Sequence, residues 1–159
     1  MKNKTRRLIC WTPTVLLSVA IFCFSAQTAT TSSAVSDSAA FWLLDLIRLF
    51  VPGFDVADWD TLIHVIRKCA HFGIYLCLEL AAFYAFFKER SAFGFASLCS
   101  LGYCLLYAVS DEIHQFFVPG RSCEARDVFI DFCGALLGFL LCTLVFSFRE
   151  KRKSQRTAK

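Results

Sequence analysis

Apolar residues fall into four long runs separated by short polar stretches. The runs cover roughly Leu8 to Ala26, Cys69 to Phe87, Ala92 to Phe117 and Val128 to Phe148. About 20 consecutive apolar residues cross the hydrocarbon core as a helix, so each run is predicted to span a membrane. Pro13 lies in the first turns of the first run, where a missing N–H matters least. The third run is longer than a bilayer needs, so its last turns, with Asp111, Glu112 and His114, are expected at the interface.

The polar stretches differ in kind. Residues Gln27 to Ser38 are rich in Ser, Thr and Ala and read as an irregular loop. Phe41 to Val51 is too short to span. Its Asp45 and Arg48 share one helical face, with Trp42, Leu46, Leu49 and Phe50 largely elsewhere. That pattern predicts an amphipathic helix lying in the outer interface, with a simple spacer as the alternative. Pro52-Gly53 ends it, and Trp59 resembles an interfacial anchor. Lys88-Glu89-Arg90 reads as a tight turn, and Val118 to Arg126, with Pro119-Gly120, as a short loop. The second, third and fourth spans are therefore neighbours. The predicted fold is an all-α membrane protein: a bundle of four transmembrane helices plus a short interfacial amphipathic helix in the first extracytoplasmic loop.

Composition agrees. The chain has 159 residues, of which 57% are hydrophobic and 18 are Phe. A soluble domain of this size has too little interior to hide that surface. The net charge of +4 reads as a topology signal. Lys2, Lys4, Arg6, Arg7, Lys88, Arg90, Arg149, Lys151, Arg152, Lys153, Arg156 and Lys159 fall on one side. Arg48, Arg67, Lys68, Arg121 and Arg126 fall on the other, with most of the carboxylates. The positive-inside rule then makes both termini cytoplasmic. The chain divides into a basic N-terminus (1–7), a transmembrane domain (8–148) and a basic tail (149–159) that could touch anionic headgroups. No nucleic-acid partner is implied.

The first run has the basic start and apolar centre of a signal peptide. Phe24 would occupy the third position before a cut after Ala26, where a small residue is needed, so the run is expected to be retained. The nine cysteines show neither CxxC nor zinc-like spacing. Most fall in apolar runs, where Cys acts as a small hydrophobe. Cys69 and Cys123 lie near the outer face; a free pair is expected, and a disulfide is the alternative.

Four polar clusters stand at the ends of the runs: Phe24–Gln27, Arg67–Phe72, Ser110–Gln115 and Arg121–Asp127, the last continuing to Asp131. The predicted topology puts all four on the same side. Charged groups at such positions usually face a partner, a cavity or a substrate. Lys68, His71, Tyr75 and Glu79 form one stripe at spacings of three and four. Asp111 shares a face with His114 and Gln115, and Asp127 with Asp131. Gly134-xxx-Gly138 permits close helix packing.

Histidine supplies an acid or base near neutral pH, and carboxylates could orient it or could bind a metal with it. The catalytic candidates are His71, Asp111, His114 and Asp131. Arg121, Arg126 and Lys68 could bind anionic oxygens, with Gln27, Tyr75, Glu112, Gln115 and Asp127 completing a substrate-binding set. Against this stands a purely structural reading, in which Asp127 pairs with Arg121 or Arg126 and Lys68 with Asp111. Asp111-Glu-Ile-His114 offers ligands on adjacent faces without HExxH or paired helical histidines, so no metal site is predicted. No Ser-His-Asp triad can be argued. Glu79 lies deepest, as a proton-relay group or a protonated, hydrogen-bonded side chain.

The segments FSAQ (24–27), KCAHFGIY (68–75), YAVSDEIHQFFVPGR (107–121) and RDVFIDFCGALLG (126–138) resemble, in order and spacing, the VanZ-like family of small bacterial membrane proteins. The last two are the specific ones. The resemblance covers nearly the whole chain and implies a polar signature of Gln27, Lys68, His71, Tyr75, Asp111, Glu112, His114, Gln115, Arg121, Asp127 and Asp131. Where many members carry a small or Gly-Ser pair after the arginine, this chain has Ser122-Cys123-Glu124. The resemblance further implies a bacterial cell-membrane location and a role like resistance to teicoplanin, a lipoglycopeptide acting outside the membrane.

The expected function is therefore an envelope role at the outer leaflet, on or with a lipid-linked or amphiphilic ligand. The alternatives are a non-catalytic binding or scaffold protein and, resting on Glu79, a proton-coupled transporter. Membrane lipids are the expected surroundings, no cofactor is identified, and a homodimer is plausible because four helices leave little room for an enclosed path.

Overall fold

The computed structural model describes residues 2–56 and 58–157. Met1 of the N-terminal segment and Lys159 of the basic tail lie outside the described residues. Five helices follow one another: α1 (Lys2–Ser25), α2 (Ala29–Phe50), α3 (Trp59–Arg90), α4 (Phe93–Phe116) and α5 (Ala125–Thr157). Among the described residues there are no strands. Four helices are long and apolar enough to cross a membrane: α1 within Arg7–Ser25, α3, α4 and α5 within Ala125–Arg149. The predicted all-α membrane bundle is thus the fold.

Three boundaries differ from the expectation, each for a local reason. The stretch from Gln27 to Ser38 is not an irregular loop, because α2 begins at Ala29. Thr28 caps it by accepting the Thr31 amide. The Ser36 and Ser38 hydroxyls donate to carbonyls one turn back, so they satisfy themselves within the helix. Ser36, Ala40 and Leu44, four apart, form its buried face, which packs on α3. Helix α3 begins at Trp59, ten residues before the apolar run that starts at Cys69. Asp58 caps this helix, accepting the Thr61 amide at 3.2 Å and its hydroxyl at 2.5 Å. Those two bonds hold the Asp58 carboxyl below its ordinary pKa. Finally, α3 runs on through Arg90, so the turn to α4 lies at Ser91-Ala92 and not at Lys88–Arg90.

The amphipathic expectation for the second half of α2 holds in its chemistry. Arg48 pairs with Asp45 at 3.9 Å and Asp55 at 3.6 Å, while Trp42, Leu49 and Phe50 stay exposed.

Helix α3 is the hub and touches every other helix, most extensively α5. Glycine makes that approach close. A Cβ built on Gly134 would collide with the Phe72 carbonyl oxygen, and one on Gly138 would lie 2.9 Å from the Leu76 oxygen. Tyr75, Leu78, Cys104, Ala108, Ala135 and Ile21 form the buried core. Many of the large side chains pointing outward from the spans, such as Leu16, Leu98, Leu106, Phe129 and Leu144, are exposed. Such a surface suits lipid contact and not water. All nine cysteines are free, Cys69 and Cys123 included.

Candidate functional site

The polar clusters of the sequence meet at one end of the bundle, where α3, α4 and α5 converge beside the C-terminus of α1. Gly134 and Gly138 bring α5 against α3 there. Asp131, one turn before Gly134, is consequently fully buried. His71 of α3 places Nδ1 3.5 Å from the Asp131 Oδ1. From α4, Asp111 joins them, so that His71, Asp111 and Asp131 each offer a ligand atom within 4.8 Å of the others. Both Asp131 carboxylate oxygens and the Tyr75 hydroxyl are buried without a hydrogen-bond partner.

A hydrogen-bonded chain leads away from this group. Gln115 donates to Asp111 Oδ2 at 3.0 Å, and its amide nitrogen also reaches the Ser25 hydroxyl at 3.5 Å. Arg121 Nη1 donates to Gln115 Oε1 at 3.0 Å. Its other nitrogens donate to the backbone carbonyls of Gln27 at 3.1 Å and Phe24 at 3.3 Å. The guanidinium thus sits at the C-terminal end of α1, where a cation complements unsatisfied carbonyls and the helix dipole. This gives the paired FSAQ and VPGR segments a physical basis: one supplies carbonyls, the other the cation that fastens them to α4.

The remaining predicted residues are placed as follows. Lys68 pairs with Asp127 across α3 and α5, so neither the Lys68–Asp111 pair nor the Asp127–arginine pair forms. Arg126 is exposed and pairs instead with Glu124 at 3.5 Å. Glu112 accepts the Glu124 amide at 2.9 Å, which puts a carboxylate at the N-terminus of α5, where the dipole favours it. His114 turns away from His71 and stacks on Phe22 of α1 at 4.5 Å between ring centroids. The two imidazoles therefore do not share a centre. Gln27 contributes its backbone carbonyl to Arg121. Glu79 accepts the Ser100 hydroxyl at 2.6 Å, deep in the bundle, and its other carboxylate oxygen is buried without a partner.

One residue outside the predicted set belongs here. Arg67 donates to the Ser33 hydroxyl of α2 at 3.1 Å, and its Nε is buried without a partner. Arg67 and Arg121 both line a cavity of about 230 Å³ between α1, α2 and α3. Its other walls are mostly apolar, among them Ile21, Phe24, Val35 and Ile74, and no carboxylate lines it. Among the described residues Arg67 and Arg121 form no ion pair. Burial, then the nearby charge of Arg67, lower the Arg121 pKa from its ordinary value. Arginine nonetheless stays charged, so two like charges share a partly desolvated wall. The sequence signal for Arg67 was its position: one residue before Lys68, it sits about 100° around the helix and faces α1 and α2.

A protein-family model described as VanZ/LLP1 matches residues 10–146. No curated protein and no solved structure matches the chain.

Proposed function

Since the chain belongs to the VanZ/LLP1 family, we propose that this integral membrane protein acts in the bacterial envelope by binding an anionic amphiphile at its extracytoplasmic end. The carrying observation is the cavity between α1, α2 and α3, with two arginines at its polar wall, apolar side chains opposite and no carboxylate in its lining. An anionic headgroup supplies the missing counter-charge, and guanidinium donors match carboxylate and phosphate oxygens. At about 230 Å³ the cavity is smaller than the roughly 300–1,000 Å³ that encloses a drug-sized ligand. It would take a headgroup and its first methylenes and leave the tail in the bilayer.

The distribution of Lys and Arg supports the orientation. Arg7, Lys88, Arg90 and Arg149 lie toward the other end of the bundle, where Arg7 pairs with Glu89 at 3.4 Å. The chain Arg121–Gln115–Asp111 links the cavity to His71 and Asp131. A ligand in the cavity would thereby lie beside the only predicted acid–base group whose members come together.

The family resemblance brings forward a role like resistance to teicoplanin, a lipoglycopeptide acting outside the membrane, which gives this binding a cellular readout. The test is drug susceptibility of a Gram-positive host producing wild type, Arg67→Gln or His71→Ala at verified equal membrane levels. Wild type is expected to protect, and Arg67→Gln to fall to the level of the empty vector. Loss in His71→Ala as well would make the linked group part of the function. Equal protection by wild type and Arg67→Gln would refute the cavity's role, and no protection by wild type would remove a role in teicoplanin resistance.

A further inference from the structure

The group at the junction of α3, α4 and α5 lacks a cation. Asp131 is fully buried, Asp111 is 4% exposed, and they share their space with a single imidazole. Asp111 has the Gln115 amide on one oxygen, but neither oxygen of Asp131 has a hydrogen bond. A buried carboxylate without a partner costs several kcal/mol, so such groups are paired or bind a metal. The neighbouring cations are already engaged. Lys68 is held by Asp127, and Arg121 by Gln115 and two backbone carbonyls.

We propose that His71, Asp111 and Asp131 hold one divalent transition-metal ion, with Zn²⁺ the species their chemistry fits best. One imidazole and two carboxylates suit zinc, whereas calcium and magnesium favour oxygen ligands alone. Zinc bonds of about 2.0–2.2 Å at tetrahedral angles put ligand atoms roughly 3.3–3.6 Å apart. His71 and Asp131 already stand at 3.5 Å, and all three atoms fall within 4.8 Å, so small side-chain rotations close the set.

The surroundings are those of a supported site. Gln115 orients Asp111 and is itself fixed by Arg121, as outer hydrogen bonds commonly fix metal ligands. Three protein ligands leave a fourth tetrahedral position for water or a ligand atom, the arrangement of zinc sites that do chemistry. The three ligands come from three helices, which makes the ion a cross-link of the bundle. This inference stands independently of the arginine-lined cavity.

The test uses full-length protein purified in detergent, stripped with a chelator and titrated with Zn²⁺ or Co²⁺. One equivalent per chain is expected, with Co²⁺ giving visible bands free of thiolate charge transfer, which separates this site from the cysteines. Chelation is expected to lower the thermal midpoint of wild type by several degrees, and Zn²⁺ to restore it, since a ligand bound only to the folded state stabilises that state. Asp131→Asn, nearly isosteric, is expected to abolish both the cobalt spectrum and the response to chelator. Two results would overturn the proposal. One is wild type that takes up no cobalt with oxygen–nitrogen bands. The other is an Asp131→Asn variant that is more stable than untreated wild type, since the carboxylates would then be merely an unpaired buried charge.

Discussion

Gly134→Ala is expected to be the most damaging single-methyl change in the chain. The added Cβ would collide with the backbone carbonyl oxygen of Phe72, and a helix backbone cannot rotate aside as a side chain can. The helices α3 and α5 must separate, which loosens the packing of Tyr75 and Ala135, both fully buried. Overpacking usually costs about 1–3 kcal/mol and occasionally more. With backbone as the obstacle, the expected loss is about 3 kcal/mol or greater, read as a lower unfolding midpoint in detergent or a sharp fall in membrane yield. Gly138→Ala meets the Leu76 oxygen at 2.9 Å and the Glu79 side chain at 3.1 Å. It should cost distinctly less, because part of its obstacle can move. Equal tolerance of both alanines would mean that α3 and α5 are not in close contact.

The second large effect concerns Lys68 and Asp127. Their side chains are 19% and 18% exposed, so the pair is largely withdrawn from water. Removing one partner of a buried pair costs about 3–5 kcal/mol, because the other charge is left uncompensated. Lys68→Met and Asp127→Leu are each expected to lose roughly 3 kcal/mol, toward the low end because both groups retain some exposure. The double variant should be more stable than the sum of the two losses predicts, since no orphan charge remains. Strict additivity in that cycle would show that the pair does not couple.

These two cases also show what the sequence could and could not disclose. The four spans were legible because apolar length is a local property, and a close helix approach was legible because Gly134 and Gly138 repeat at one turn, though its partner α3 was not. The start of α2 was not. Its serines and threonines look like loop residues until the Ser36 and Ser38 hydroxyls are seen donating to carbonyls of their own helix. The first ten residues of α3 were hidden by Asp60, His64, Arg67 and Lys68, which interrupt the apolar run but not the helix that Asp58 caps.

At the polar end of the bundle, the gathering of the clusters was readable from the sequence and their pairing was not. Spacing placed Lys68 and His71 on one face of their helix, yet which carboxylate each would meet depends on the rotation of α4 and α5. Lys68 therefore found Asp127 in place of Asp111. His114, three residues from Asp111, was carried to Phe22 and α1. Arg67 lies off the Lys68–His71–Tyr75 stripe and faces α2, whose start has the composition of a loop, so its sequence position alone does not assign it to a site. Without α2 in place, there was no third wall for the cavity.

An anionic amphiphile in this cavity should be directly detectable. The most direct test is native mass spectrometry of the detergent-purified protein, comparing short-chain phosphatidic acid with its phosphatidylcholine counterpart in wild type and Arg67→Gln. A hydrogen bond to a charged group contributes about 1.5–3 kcal/mol, and each 1.4 kcal/mol is tenfold in affinity. Wild type is expected to prefer the anionic lipid, and Arg67→Gln to weaken its binding by roughly tenfold or more with little change for the zwitterionic one. Equal binding of phosphatidic acid by wild type and Arg67→Gln would contradict this role for the cavity.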